Sequence, residues 1–128
     1  MRLLLDTHLL LWLAYAPDRL PAAARTAIMD DGNQLLFSAV SIWEVQIKRA
    51  LDRPDFTADP GELRAGLLSN GYDELPVTGG HALALSGLPA LHRDPFDRML
   101  IAQAMAEALT LMSADRAIAQ YDGPILTV

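Results

Sequence analysis

The chain has 128 residues, 52% hydrophobic and 20% charged, with 10 Lys and Arg against 16 Asp and Glu and no Cys. That length and apolar share suit a single domain over residues 1–128 with its own core and exclude wholesale disorder. The missing Cys excludes disulfide scaffolds, thiolate zinc sites and cysteine nucleophiles. A net charge of −6 argues against a nucleic-acid partner if the acids are spread at random.

Residues 9–14 (Leu-Leu-Leu-Trp-Leu-Ala) have the apolarity of a signal-peptide core, but Asp6 and His8 interrupt its approach and no clean small-residue cleavage site follows. No run approaches the roughly 18 apolar residues needed to span a bilayer. A cytoplasmic protein with no membrane attachment is therefore expected.

In chain order, Arg2-Leu3-Leu4-Leu5 reads as a strand buried on both faces, closed by Asp6-Thr7, which cap a helix over 7–16 stopped by Pro17. Pro21 opens a second helix to about Met29. Asp31-Gly32-Asn33 is a turn, and Leu35-Leu36-Phe37 a second strand followed by Ser38 and Ser41 as caps. A helix over 41–51 is broken by Arg53-Pro54-Asp55. Further helices are expected over 60–69 and 80–85, with a minor strand over 73–77 between them.

Asp94-Pro95-Phe96-Asp97 is a strong helix start: a cap residue, Pro in first position and an acid three residues on. That helix should run to about Ala108 on a stripe of Leu100, Ile101, Ala104, Met105 and Ala108. Strands over 110–112 and 125–128 bracket a short helix over 115–120. Strand and helix alternate with short connections, which predicts an α/β fold around a parallel sheet. Such folds place their sites just beyond the carboxyl ends of the strands.

Acids occupy those places. Asp6 follows the first strand, Asp115 follows 110–112, Glu44 lies in the helix after 35–37, and Asp94 and Asp97 open a helix. Asp6, Asp94, Asp97 and Asp115 each make sense as helix caps or first-turn acids, a role compatible with a site at the same strand ends. Glu44, flanked by Ile42-Trp43 and Val45, points to a buried acid, with a solvated helix face as the alternative. If the acids converge, mutual repulsion opposes their joint ionisation, and a divalent cation removes that conflict. All-oxygen ligands suit Mg²⁺ or Mn²⁺, and such a cluster is well fitted to hydrolyse phosphodiesters through an activated water.

Residues 3–8 (LLLDTH), 38–44 (SAVSIWE), 93–104 (RDPFDRMLIAQA) and 113–115 (SAD) resemble the four acidic motifs of PIN-domain ribonucleases, in particular the VapC-type toxins of type II toxin–antitoxin systems. The resemblance spans essentially the whole chain, and the third motif is long and specific. It implies a three-layer α/β/α fold and a Mg²⁺- or Mn²⁺-dependent endoribonuclease toxin that cleaves RNA and inhibits translation. It also implies a VapB-type antitoxin partner and a homodimer. Carried over by position, Asp6, Glu44, Asp97 and Asp115 become the catalytic and metal-binding acids. Asp94 has a capping role, with reach to the same site one helical turn away. Ser113 keeps the hydroxyl of the Thr found in many relatives.

Other residues carry less. His8 reads as a helix-face residue rather than a ligand or base, and His81 and His92 as surface residues. Trp12, Trp43 and Phe96 read as core packing rather than base stacking. Thr7 and Ser41 could hydrogen-bond a ligating carboxylate or a metal-bound water, and residues 9–13 could be partly interface. Arg93, Arg98 and Arg116 suit either phosphate contacts or surface ion pairs.

A receiver domain needs a Lys after a late strand, yet the only Lys is Lys48, and a dehalogenase-type phosphatase needs Asp where His8 stands. The competing function is a catalytically inactive PIN-like binding module, against which the four acids argue. Assigning four acids to one site leaves −2 of the −6 elsewhere. The acidic balance then becomes the signature of a metal pocket and does not exclude RNA.

Overall fold

The computed structural model describes residues 1–51 and 56–128, so the expected break at Arg53-Pro54-Asp55 lies outside the described residues. Five strands form one sheet: β1 (Arg2–Leu5), β2 (Gln34–Ser38), β3 (Asp73–Leu75), β4 (Thr110–Ser113) and β5 (Ile125–Thr127). Every pairing is parallel and the spatial order is β3-β2-β1-β4-β5. The Leu run at the start of the chain is thus the central strand, paired on both sides in registers such as Leu4 with Leu36 and with Leu111.

Successive residues of these strands feed opposite layers, as the two-residue repeat requires. Leu3, Leu5, Phe37 and Met112 pack on one face with Leu9, Leu10, Ala24, Leu63 and Leu67. Leu4, Leu36 and Leu111 pack on the other with Leu100, Ile101, Ala104 and Ile118. The helices that cover the faces are α1 (Thr7–Tyr15), α2 (Ala22–Met29), α3 (Ala39–Ala50), α4 (Pro60–Ser69), α5 (Gly79–Ala84), α6 (Pro95–Ala106) and α7 (Arg116–Ala119). With helices against both faces, the expected three-layer α/β/α architecture is present.

Two features differ from expectation. Short 3₁₀ turns follow α1 at Pro17–Arg19 and α5 at Leu85–Gly87, the second taking in Leu85, the expected end of its helix. Helix α6 stops at Ala106 instead of Ala108 because Ala108 turns left-handed, with φ 54°, and Leu109 N donates back to Ala104 O at 2.9 Å. Met105, expected on the apolar stripe, lies within α6 and is exposed. In the 9–13 stretch, Leu9 and Leu10 are wholly buried, while Leu11, Trp12 and Leu13 pack against the same cluster and stay partly exposed. Among the described residues no helix is long and apolar enough to cross a membrane.

Candidate metal centre

All strands run the same way, so the residues after β1 and β4 emerge at one edge of the sheet. Helices that connect parallel strands run back against them, so the start of α6, which precedes β4, lies at that same edge. This puts Asp6, Asp97 and Asp115 together, with α3 leaving the neighbouring end of β2.

Asp6 caps α1 while still tied to the sheet: its N–H donates to Met112 O at 3.1 Å and its Oδ1 accepts from Leu9 N at 2.8 Å. Its Oδ2 accepts from the Ser113 hydroxyl, which in turn accepts from Asp115 N at 3.0 Å. One serine oxygen therefore links the first and last acids. Asp115 caps α7, its Oδ1 accepting from Ala117 N at 2.8 Å. Asp97, in the first turn of α6, has its Oδ2 2.8 Å from His92 Nε2. Glu44 projects from the second turn of α3 and its Oε2 takes a 2.6 Å ion pair from Lys48, one helical turn on.

These carboxylates are buried to an unusual degree for acids: Asp6 is 1% exposed, Glu44 2% and Asp97 6%. Burial pushes the Asp97 carboxyl up to about 6; the His92 hydrogen bond opposes the rise, and the charges of Asp94 and Glu44 add to it. Burial also raises Asp6, against the Ser113 and Leu9 hydrogen bonds, with Asp115 adding to the rise. Among the described residues, Glu44 Oε1 is buried without a hydrogen-bond partner.

The expected acids do not all fall into one tight group. Among the described residues, the donor atoms within 4.8 Å of one another belong to His92, Asp97 and Asp115. Asp6 adjoins through Asp115, with which it lines a small cleft alongside His8 and Trp12, and Glu44 adjoins through its charge on Asp97. Asp94 Oδ1 is engaged as the cap of α6, accepting from Phe96 N at 2.8 Å and Asp97 N at 3.1 Å. The donor set of two carboxylates and an imidazole fits a divalent cation, and Glu44, coupled to Asp97 by its charge, adds a buried carboxylate oxygen with no partner among the described residues.

The chain matches the PIN domain family model over residues 3–124. It belongs to the PIN domain family. No curated relative matches it in sequence. Among solved structures, this PIN chain is similar in fold to VapBC2 from Rickettsia felis, bound to a DNA fragment from its promoter. Identity is 12%, coverage 99% of this chain and 98% of that one, and the TM-score 0.73. FitAcB from Neisseria gonorrhoeae matches at 16% identity, 98% and 96% coverage and a TM-score of 0.65. VapBC-1 from nontypeable Haemophilus influenzae matches at 18% identity, 99% and 98% coverage and a TM-score of 0.61.

Several side chains of this PIN chain differ from their sequence reading. His92 faces Asp97 instead of solvent. His81 is 1% exposed, completing a capping box with Thr78 and pairing with Glu107 at 2.8 Å. Trp43 is 60% exposed and meets Phe96 edge-on at 5.3 Å, because Val40, Glu44 and Val45 take the inward faces of α3. Phe96 and Trp12 do pack against the core.

Thr7 and Ser41 bond each other at 2.8 Å rather than a carboxylate. Arg98 is spent on Pro89 O and the Tyr121 hydroxyl, while Arg93 and Arg116 are exposed. Sequence reasoning missed His92 and Lys48 as site neighbours. The i, i+4 spacing of Glu44 and Lys48 was a visible signal for the latter.

Proposed function

We propose that this chain is a Mg²⁺- or Mn²⁺-dependent endoribonuclease toxin of VapC type. In this reading it hydrolyses RNA phosphodiester bonds, inhibits translation in the cytoplasm and is neutralised by a VapB-type antitoxin. The observation that carries it is the set of buried acids at one sheet edge, with Asp97 pushed to about 6 and Glu44 Oε1 without a partner among the described residues. Asp6, Asp97 and Asp115 would hold the metal, with Glu44 beside them. A divalent cation bound there supplies Lewis acidity that lowers the pKa of an attacking water and stabilises the leaving oxygen.

The chain's own groups prepare that site. Ser113 and the Leu9 N–H fix both oxygens of Asp6, and the α7 cap fixes one oxygen of Asp115. Lys48 holds Glu44 Oε2 and leaves Oε1 free to accept a hydrogen bond from a ligand. Exposed Arg93 and Arg116, next in sequence to Asp94 and Asp115, are placed to contact RNA phosphates.

The antitoxin proposal rests on the similar folds, which were solved as toxin–antitoxin complexes from Klebsiella pneumoniae and as VapBC complexes. The antitoxin would cross the acidic groove. A separate cleft of about 550 Å³, lined by Leu13, Tyr15, Ile28, Leu63 and Leu67, offers its apolar residues a second hold. A homodimer is the assembly we expect. The remaining alternative is an inactive PIN-like binding module.

Calorimetry with cleavage assays separates the two. The unaltered chain should bind Mn²⁺ and Mg²⁺ and cut RNA until EDTA is added. Asp97→Asn should bind at least about tenfold more weakly and cut none. Absence of metal binding by the unaltered chain would establish the inactive module.

A further inference from the structure

The nitrogen beside the acids is unassigned by the reading above, on which this inference rests. We infer that His92 is a metal ligand of this chain, joining Asp97 and Asp115 through Nε2 and giving the site a preference for Mn²⁺ over Mg²⁺.

Three observations converge on it. A ring nitrogen of His92, an Asp97 oxygen and an Asp115 oxygen all lie within 4.8 Å of one another, the one such group among the described residues. The 2.8 Å between Nε2 and Asp97 Oδ2 is close to the roughly 3 Å that separates adjacent ligands around an octahedral ion with bonds near 2.1 Å. The histidine is also held in place. Its backbone N–H donates to the buried Tyr121 hydroxyl at 3.0 Å, and Arg98 ties that same hydroxyl at 3.0 Å and Pro89 O at 2.9 Å. The loop before α6 is thus clamped from α6 itself and from Tyr121, two residues beyond α7, and the clamp presents the imidazole to the carboxylates.

An imidazole that merely neutralised Asp97 would have no bearing on Asp115, whereas one that shares an ion with both aspartates engages all three members of the group. Neutral imidazole nitrogen binds first-row transition ions well and Mg²⁺, which prefers oxygen, poorly. The consequence is a shift in metal choice rather than only in strength.

Mn²⁺ bound to the full chain is the probe, read by electron spin-echo envelope modulation for ¹⁴N coupling and by calorimetry against Mg²⁺. The unaltered chain should show nitrogen modulation that is lost in His92→Gln and kept in His8→Gln. His92→Gln should weaken Mn²⁺ about tenfold or more and Mg²⁺ by clearly less. Bound Mn²⁺ without nitrogen modulation, or modulation lost in His8→Gln and kept in His92→Gln, overturns the inference while leaving the acid site standing. Unchanged Mn²⁺ affinity in Asp97→Asn overturns the acid site and the inference with it. Circular dichroism of each variant confirms that the fold is kept.

Discussion

At the scale of single residues, the site is defined by acids placed where ionisation is costly. Asp97 moves from the ordinary 3.8 to about 6, chiefly through burial. A carboxyl raised in the fold favours the neutral form there, so its stabilisation is full below pH 4 and is lost as pH climbs through about 6. Asp6 acts in the same direction. Melts in EDTA should therefore show the metal-free protein losing stability between about pH 4 and 6.5. Asp97→Asn, which mimics the neutral acid, should be more stable by roughly 1–3 kcal/mol at pH 7.5 and have a flatter profile. Added Mn²⁺ should restore the unaltered chain at the higher pH and do little for the variant. An Asp97→Asn protein no more stable than its parent in EDTA would refute the burial argument.

Some of these residues were legible in the sequence. The apolar flanks of Glu44 correctly marked it as buried. His92 was not legible, because its contact with Asp97 depends on a loop path fixed by Tyr121, 29 residues later. Trp43 misled because α3 has more apolar residues than inward positions, and the bulkiest of them lies outside.

At the scale of elements, helix starts were the clearest features. Asp6, Asp59, Asp94 and Asp115 all cap helices through their side chains, so each helix began within a residue or so of its signal. Helix ends and 3₁₀ turns carry no comparable side-chain signature and were placed less well. Asp94 accepts from two N–H groups of α6, so Asp94→Ala should cost about 1–2 kcal/mol in urea unfolding, and Asp94→Ser should recover most of it. Full stability in Asp94→Ala would remove the cap from the account.

The end of α6 supplies an opposite case. Ala108 holds a left-handed conformation that glycine adopts freely, and its side chain is exposed. Ala108→Gly should therefore stabilise the protein by about 0.5–1 kcal/mol in the same titration. A loss of stability would show that the strain at Ala108 is not the governing term.

At the scale of the molecule, the parallel order β3-β2-β1-β4-β5 turns residues spread from Asp6 to Asp115 into neighbours. The alternation of strands and helices foretold that gathering. It could not foretell how tightly the acids meet, since that is set by side-chain burial and by the Ser113 link between Asp6 and Asp115. The charge of −6 takes its meaning from this arrangement, with a substantial part of it concentrated at the one edge where the proposed cation would sit. RNA binding should consequently require the metal as well as the nearby arginines.

The most direct test of the central claim is to map RNA ends in total cellular RNA after brief induction of the unaltered chain and of Asp97→Asn. The account predicts new ends at defined sites together with growth arrest for the unaltered chain, and neither for the variant. The same new ends and an equal arrest with Asp97→Asn would contradict it.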